Sequence, residues 1–180
     1  LPKAKRDALK DVGGFVGGTF QDNRRKANSV VGRDILTLDL DHIEAGKTDD
    51  VLRRVDGLGC GYCVYSTRKH SPDAPRIRVI LPLDRTVTVD EYEPIARMAA
   101  KLIGIEMCDP STFEASRLMY WPSCCADSQY VYRHGDKPFL SADGMLGLYP
   151  NWQDYNSWPQ VPGTQDVHTR LAKKAGRPDA

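Results

Sequence analysis

Residues 37–42 read Thr-Leu-Asp-Leu-Asp-His, an alternation of apolar and acidic side chains that follows Ile35 and Leu36. Successive side chains of a β-strand point to opposite faces, so a strand here places Asp39 and Asp41 on one face and turns the leucines toward a core. Two carboxylates so close on one face repel each other unless a positive charge lies between them. A divalent metal ion is the natural candidate for that charge. The alternative interpretation is an edge strand whose acidic face is wetted by solvent.

The composition is that of a globular protein rather than a membrane-spanning or disordered one. The 180 residues are 41% hydrophobic and 27% charged, and no apolar run approaches the length needed to cross a bilayer. Lys and Arg number 25 and Asp and Glu 24, so the net charge of +1 gives no overall attraction to nucleic acid. Basic side chains nevertheless cluster locally, at residues 3–6, 24–26, 68–70, 76–78 and 170–177.

Five cysteines and no secretory signal indicate a reducing compartment rather than a disulfide framework. A structural zinc site is one interpretation of Cys60 and Cys63, followed later by Cys124 and Cys125. However, a strand at Cys63 would turn the first two thiols to opposite faces, and adjacent cysteines lack the usual ligand spacing. Buried thiols are the interpretation that we favour.

The periodicity of the chain predicts an α+β fold. Residues 62–66 and 76–81 are expected to form two strands joined by a basic loop, with Arg76 and Arg78 on one face. Helices are predicted from residue 48 to about 54, from 88 to 103 and near 141–148, and short strands at 117–122 and 130–132. The order β-β-α-β-β-α-β-β-α is typical of an α+β domain with a largely antiparallel sheet.

A third acid is expected from another element, because two-metal phosphoryl transfer needs carboxylates that span ions roughly 3.5 to 4 Å apart. Asp109 is the best candidate, since it stands beside Pro110 in a turn after the 88–103 helix. An ordinary Asp-Pro turn is the alternative interpretation. Glu106 and Glu114 flank Asp109 and are the substitutes.

The loop after the 62–66 strand carries donors that suit a triphosphate. Ser66, Arg68, Lys69 and His70 supply hydroxyl, cationic and imidazole groups within a few residues of one another.

An acidic pair on a strand, a Ser-to-His loop after the next strand and a later acid together resemble the three motifs of the archaeo-eukaryotic primase superfamily. More closely, residues 37–41, 65–72, 75–84 and 116–122 look like the primase-polymerase domain of phage and prophage primase-helicases, the proteins labelled virulence-associated E. The resemblance covers roughly residues 12–160. It implies a two-lobed core in which a mainly antiparallel, RNA-recognition-motif-like sheet carries the metal site. It also implies primer synthesis on single-stranded DNA from NTP or dNTP, with Mg²⁺ or Mn²⁺.

By this resemblance, Asp39, Asp41 and Asp109 are the metal-binding acids and His70 is the histidine that contacts nucleotide phosphates. These four are the predicted catalytic residues. Three residues separate Ser66 from His70 where the superfamily usually has one, so His70 matches the motif more closely than Ser66 does. The predicted nucleotide-binding set is Ser66, Arg68, Lys69, His70, Arg76, Arg78 and Arg117. For the last three arginines, contact with template phosphates is the alternative. Removing Asp39 or Asp41 is expected to leave the fold intact and to relieve repulsion in the metal-free protein.

We predict a catalytic domain over residues 1–160 and a basic tail over residues 161–180. The resemblance implies that the tail leads to a further region, a helicase. It also implies that the protein acts in the cytoplasm of a bacterial host, without a membrane partner. Two other classes of protein share parts of this pattern. A D-x-D glycosyltransferase would show a nucleotide-sugar Rossmann pattern, and none is present. A replication-initiator domain that binds or nicks DNA without polymerising is the main alternative, although the four histidines are scattered and form no His-x-His pair.

Overall fold

A five-stranded antiparallel sheet forms the centre of the computed structural model, which describes residues 13–125 and 128–164. The strands of the chain are β1 (Gly14–Phe15), β2 (Gly18–Phe20), β3 (Val30–Leu40), β4 (Tyr62–Ser66), β5 (Ile77–Val87), β6 (Met119–Tyr120) and β7 (Tyr132–Gly135). The sheet has the order β2-β3-β5-β4-β7, and β1 pairs with β6 in a separate ribbon. The predicted α+β class with antiparallel strands is confirmed, whereas the two-lobed arrangement stays a prediction.

Within the described residues, three α-helices accompany the sheet: α1 (Thr48–Asp56), α2 (Val89–Ile103) and α3 (Ala142–Leu146). The longest, α2, begins at a capping box in which Thr88 and Glu91 satisfy each other's main-chain N–H groups. It ends at Gly104, whose φ of +133° suits glycine. Its apolar face, which includes Ile95, Ala99 and Ile103, is fully buried in the core. The predicted 88–103 helix is therefore confirmed.

The alternation at the end of β3 separates a core face from a polar face. Leu36, Leu38 and Leu40 are fully buried in the hydrophobic core, which stabilises the fold by about 1.5–3 kcal/mol for each leucine. Asp39 lies on the opposite face, and Asp41 follows one residue after the strand ends. β2 pairs with residues 30–33 of β3, so the acidic end of the strand is covered on that side by the turn at Asp109 rather than by β2. Asp39 is 8% exposed, so the interpretation of a solvent-wetted acidic face is wrong for this residue.

Of the two strands predicted in the later chain, one is shorter than expected and the other is shifted along the sequence. The strand expected at 117–122 is reduced to β6, since Pro122 lacks the N–H that would continue the pairing. The strand expected at 130–132 begins only at Tyr132.

The cysteines favour buried thiols over zinc. Cys60 and Cys108 are buried, and burial raises the pKa of both thiols, that of Cys108 to about 12. Cys124, in contrast, is exposed.

Within residues 13–125 and 128–164, no helix combines the length and the apolar character that crossing a membrane would require. The first and last predicted basic clusters and most of the predicted 161–180 tail lie outside the described residues.

Candidate active site

The turn that carries Asp109 lies against the end of β3. The N–H of Asp109 donates to the carbonyl oxygen of Asp39 at 2.9 Å, and the N–H of Asp41 donates to the carbonyl oxygen of Met107 at 3.0 Å. The Asp109 carboxylate caps the following turn by accepting the N–H and the hydroxyl of Ser111. The fold thus brings the three predicted acids to one end of the central sheet.

Asp39 is paired with Arg78, its direct cross-strand neighbour on β5. The carboxylate Oδ2 accepts from Arg78 Nη2 at 2.8 Å, and both side chains are nearly buried. Arg78 also donates to the Tyr120 carbonyl oxygen at 2.9 Å and to the Tyr65 hydroxyl at 3.3 Å, so its position is held from three sides. The second carboxylate oxygen of Asp39, Oδ1, is buried and has no hydrogen-bond partner among the described residues.

Asp41 has an arginine of its own, Arg76, at 2.8 Å. This pair is more open than the first, with side-chain exposures of 26% for the acid and 31% for the arginine. Burial raises the pKa of Asp41, and the neighbouring carboxylates of Asp39 and Asp109 act in the same direction. The Arg76 guanidinium opposes that rise.

Asp109 completes the series with Arg117, whose guanidinium lies 3.6 Å from the carboxylate. From the sequence, a metal ion is expected to neutralise the acidic pair. The structure instead places one arginine beside each of the three acids. Of the predicted nucleotide-binding arginines, Arg76, Arg78 and Arg117 are therefore all engaged with carboxylates.

The carboxylates of the site are suitable ligands for a divalent ion, but they are not arranged as a preformed metal site. In the described part of the chain, no group of three or more His, Cys, Asp or Glu side chains has a geometry that could hold a metal. Carboxylate oxygens are nevertheless the donors that Mg²⁺ and Mn²⁺ prefer. The buried oxygen Asp39 Oδ1, which lacks any donor, is the kind of group that a cation would satisfy.

His70 lies in the β4–β5 loop and is 3% exposed. Its Nδ1 accepts the N–H of Arg76 at 3.1 Å, and the side chain of the same arginine holds Asp41. Burial lowers the pKa of His70, and an acceptor at Nδ1 is unprotonated, so neutral His70 carries its proton on Nε2. Arg76 thereby connects the predicted histidine to one of the predicted acids.

A pocket of about 290 Å³ opens beside Asp39. Three arginines line it: Arg25 from the loop between β2 and β3, Arg78 from β5 and Arg117 from the segment before β6. Its remaining walls come from Glu114, Ser116, Leu118 and Tyr120. The pocket thus combines a buried acid with cationic groups that could bind phosphate.

A model of the VapE N-terminal domain family matches residues 1–161. The chain belongs to this family. Among solved structures, it is similar to the AEP domain of the primase-polymerase (PrimPol) of cyanophage S-2L, with a TM-score of 0.53 and 13% sequence identity. The match covers 82% of this chain and 76% of that one. At this identity the likeness shows the fold alone. No curated protein matches the chain.

In this VapE N-terminal domain, Ser66 is buried and forms hydrogen bonds within the fold. The side chain is 1% exposed, its hydroxyl accepts the N–H of Val131 at 2.9 Å, and its own N–H donates to the Val131 carbonyl oxygen. These bonds tie the end of β4 to the segment that enters β7. Lys69 is exposed and Arg68 is half-buried, so a nucleotide role stays a prediction for all three residues.

Sequence reasoning missed several side chains that build the candidate site. Arg25 was visible only as part of a basic cluster, and Tyr120 only as part of a strand-like run. Arg33 is fully buried and donates to the Ala115 carbonyl oxygen at 2.5 Å and to the Tyr92 hydroxyl at 3.1 Å. It thereby holds the segment between Asp109 and Arg117 onto β3 and α2.

Proposed function

We propose that this VapE N-terminal domain is a metal-dependent nucleotidyltransferase, a DNA primase or primase-polymerase that makes primers on single-stranded DNA in phage or mobile-element replication. The observation that carries the proposal is the backbone bond that joins Asp109 to Asp39, which itself lines a pocket together with Arg25 and Arg117. The primase-polymerase fold and the family membership support it.

Asp39, Asp41 and Asp109 would hold Mg²⁺ or Mn²⁺, with the unpaired oxygen of Asp39 as one donor. When bound, such ions stabilise charge at the reacting phosphate and lower the pKa of the attacking hydroxyl. The chain's own part is to hold these carboxylates in place, through the Arg78 pair and the backbone bond between Asp109 and Asp39.

The incoming nucleotide would lie in the pocket beside Asp39. Arg25 from the β2–β3 loop and Arg117 from the segment before β6 both line this space and would offer guanidiniums to the phosphates. His70, neutral and protonated on Nε2, would donate a hydrogen bond to a phosphate oxygen without adding charge. Arg68 and Lys69 in the same loop, and Ser66 at the end of β4, remain proposed contacts.

The template strand would follow a row of side chains that crosses four strands. Asp39 on β3 faces Arg78 on β5, Arg78 faces Tyr65 on β4, and Tyr65 faces Tyr132 on β7. Cross-strand partners share one face of a sheet, so the row leads from the acid to an edge where Tyr132 is 57% exposed. Exposed aromatic rings are the platforms on which unpaired bases stack. Tyr130 and Trp121 are also exposed.

A helicase, linked to this domain or associated with it, is the proposed replication partner. The proposal rests on the family resemblance alone.

One assay tests the function directly. The protein is incubated with single-stranded DNA, labelled nucleotides and Mg²⁺ or Mn²⁺, with and without a primer, and products are separated by length. New oligonucleotides without a primer would establish priming, and extension only with a primer would establish a polymerase. DNA binding without any product would favour the replication-initiator alternative. The use of labelled NTP and dNTP in parallel shows which is preferred.

A further inference from the structure

The three acids of the candidate site and the arginines beside them form a charge-balanced set. The pairs are Asp39 with Arg78, Asp41 with Arg76, and Asp109 with Arg117. Their formal charges cancel. A divalent cation that approaches such a site gains little net attraction, because each carboxylate already has a counter-ion that must be displaced or shared.

The three arginines differ in how firmly they are held. The Arg78 side chain is 7% exposed and bonds to Tyr65 and Tyr120 as well as to its acid, so it is part of the framework. The side chains of Arg76 and Arg117 are 31% and 39% exposed. Arg117 lies at the relatively long distance of 3.6 Å from Asp109 and lines the pocket. These two can leave their carboxylates without leaving a buried charge unpaired.

We propose that Arg76 and Arg117 are exchangeable counter-ions, which neutralise Asp41 and Asp109 in the free protein and turn to the phosphates of a nucleoside triphosphate when divalent metal takes their place. Arg78 stays on Asp39 and keeps its unpaired oxygen oriented as a ligand. Metal and triphosphate then bind cooperatively, each weakly alone. This inference rests on the proposed function, because it takes the acids as the metal site and the pocket as the nucleotide site.

The cooperativity follows from charge balance. Metal without triphosphate displaces Arg76 and Arg117 from their carboxylates and supplies no anion in exchange. Triphosphate without metal must compete with the carboxylates for the same guanidiniums. When both arrive together, the metal takes the acids and the phosphates take the arginines, so every charge keeps a partner. By linkage, each ligand must then raise the affinity of the other by the same factor.

Mn²⁺ binding tests the exchange without any catalysis. The protein is titrated with Mn²⁺ and the free ion is followed by electron paramagnetic resonance, with and without a triphosphate analogue that cannot release pyrophosphate. A titration of the analogue without protein corrects for the metal that it binds itself. We expect Mn²⁺ to bind roughly tenfold or more tightly in the presence of the analogue, within the usual range of coupling between sites.

The variant Arg76→Gln removes one exchangeable counter-ion. It should bind Mn²⁺ alone more tightly than the wild type does and should show weaker coupling to the analogue. Arg53→Gln is the matched control, because Arg53 forms an exposed ion pair with Asp50 on α1 and carries the same charge. It should leave both affinities unchanged. Arg117→Gln repeats the test at the second position if Arg76→Gln does not fold, as judged by circular dichroism.

Equal Mn²⁺ affinity with and without the analogue would overturn the exchange, as would an arginine variant whose affinity for Mn²⁺ alone matches the wild type. Primer synthesis by a protein that shows no coupling would overturn the exchange and leave the proposed function standing. Coupling without any primer synthesis would leave the exchange standing and overturn the proposed function. A protein that binds no Mn²⁺, neither with nor without the analogue, would overturn the exchange and the proposed function together.

Discussion

The main-chain N–H of Asp109 donates a 2.9 Å hydrogen bond to the carbonyl oxygen of Asp39. The N–H of Asp39 is taken by the Thr112 hydroxyl at 3.0 Å, and that hydroxyl donates in turn to the Thr37 carbonyl oxygen. One short turn therefore satisfies both main-chain groups of Asp39 and sets the distance between two acids that are far apart in the sequence. The chemistry proposed for the site depends on this junction.

The first prediction concerns Asp109. In Asp109→Asn the amide oxygen can still accept the bonds from Ser111, so the turn is kept while one ligand charge is lost. Nucleotidyl transfer should fall roughly 100-fold or more, since even the outer partners of metal ligands are worth about 10–100-fold. The remaining activity should depend more steeply on metal concentration.

Glu106→Gln is the control for this variant. Glu106 is an acid of the same region but lines a different pocket, with His42 and Arg54. Its replacement should leave the rate within about twofold. A fully active Asp109→Asn together with an inactive Glu106→Gln would make Glu106, and not Asp109, the third metal-binding acid.

A second prediction separates Asp39 from Asp41 by their effects on stability. Asp39→Ala leaves the buried Arg78 without its carboxylate, which should cost about 3–5 kcal/mol. Asp41→Ala breaks a half-exposed pair and should cost less than about 1 kcal/mol. The expectation that removal of either acid relieves repulsion and preserves the fold thus changes for Asp39. Urea denaturation of both variants measures the difference, and equal losses would contradict it.

Acid unfolding should reveal the cluster that joins β5 to α2 and α3. Arg85 pairs with Glu91 and Asp143, and its hydrogen bond lowers the pKa of Glu91 from 4.5 to about 2. A carboxylate with a depressed folded-state pKa contributes stability above its unfolded pKa and loses that stability as the pH falls through the folded value. The contribution of Glu91, about 1–2 kcal/mol after solvent screening, should therefore fade between pH 4.5 and about 2.

Glu91→Gln isolates that contribution. The amide can still complete the capping box with Thr88, so α2 keeps its start. Above pH 5 the variant should be less stable than the wild type, and the two should converge toward pH 2. A constant difference across this window would mean that Glu91 does not titrate as described.

The sequence predicts the parts of the fold that depend on local pattern. The helix 88–103 was predictable because a capping box, an apolar stripe and a terminal glycine coincide, and the core face of β3 was predictable from its alternation. The placement of Asp109 beside the acidic strand was required by the metal hypothesis, and the backbone bond to Asp39 agrees with it. The pairing of Arg78 with Asp39 was not predictable, because it depends on the register between β3 and β5. A shift of one residue would have turned that arginine to the other face.

The last prediction concerns the proposed template path. With a net charge of +1, the protein should bind single-stranded DNA weakly, and the charged part of that affinity should come from local arginines and weaken with salt. Tyr132→Ala should cost about 1–3 kcal/mol of binding free energy through lost base stacking, with little change in the slope of log affinity against log salt. Arg25→Gln, in contrast, should lower that slope by about one unit if Arg25 contacts a phosphate.

Phe139→Ala is the matched control for Tyr132→Ala. Phe139 is an exposed aromatic that precedes Leu140, and Leu140 pairs with Leu83, far along β5 from the residues that face the acids. Fluorescence anisotropy with a labelled oligonucleotide across a salt series measures all three variants. If Tyr132→Ala and Phe139→Ala weaken binding equally, or if tight binding persists at high salt, the strand does not follow the path from Asp39 to Tyr132.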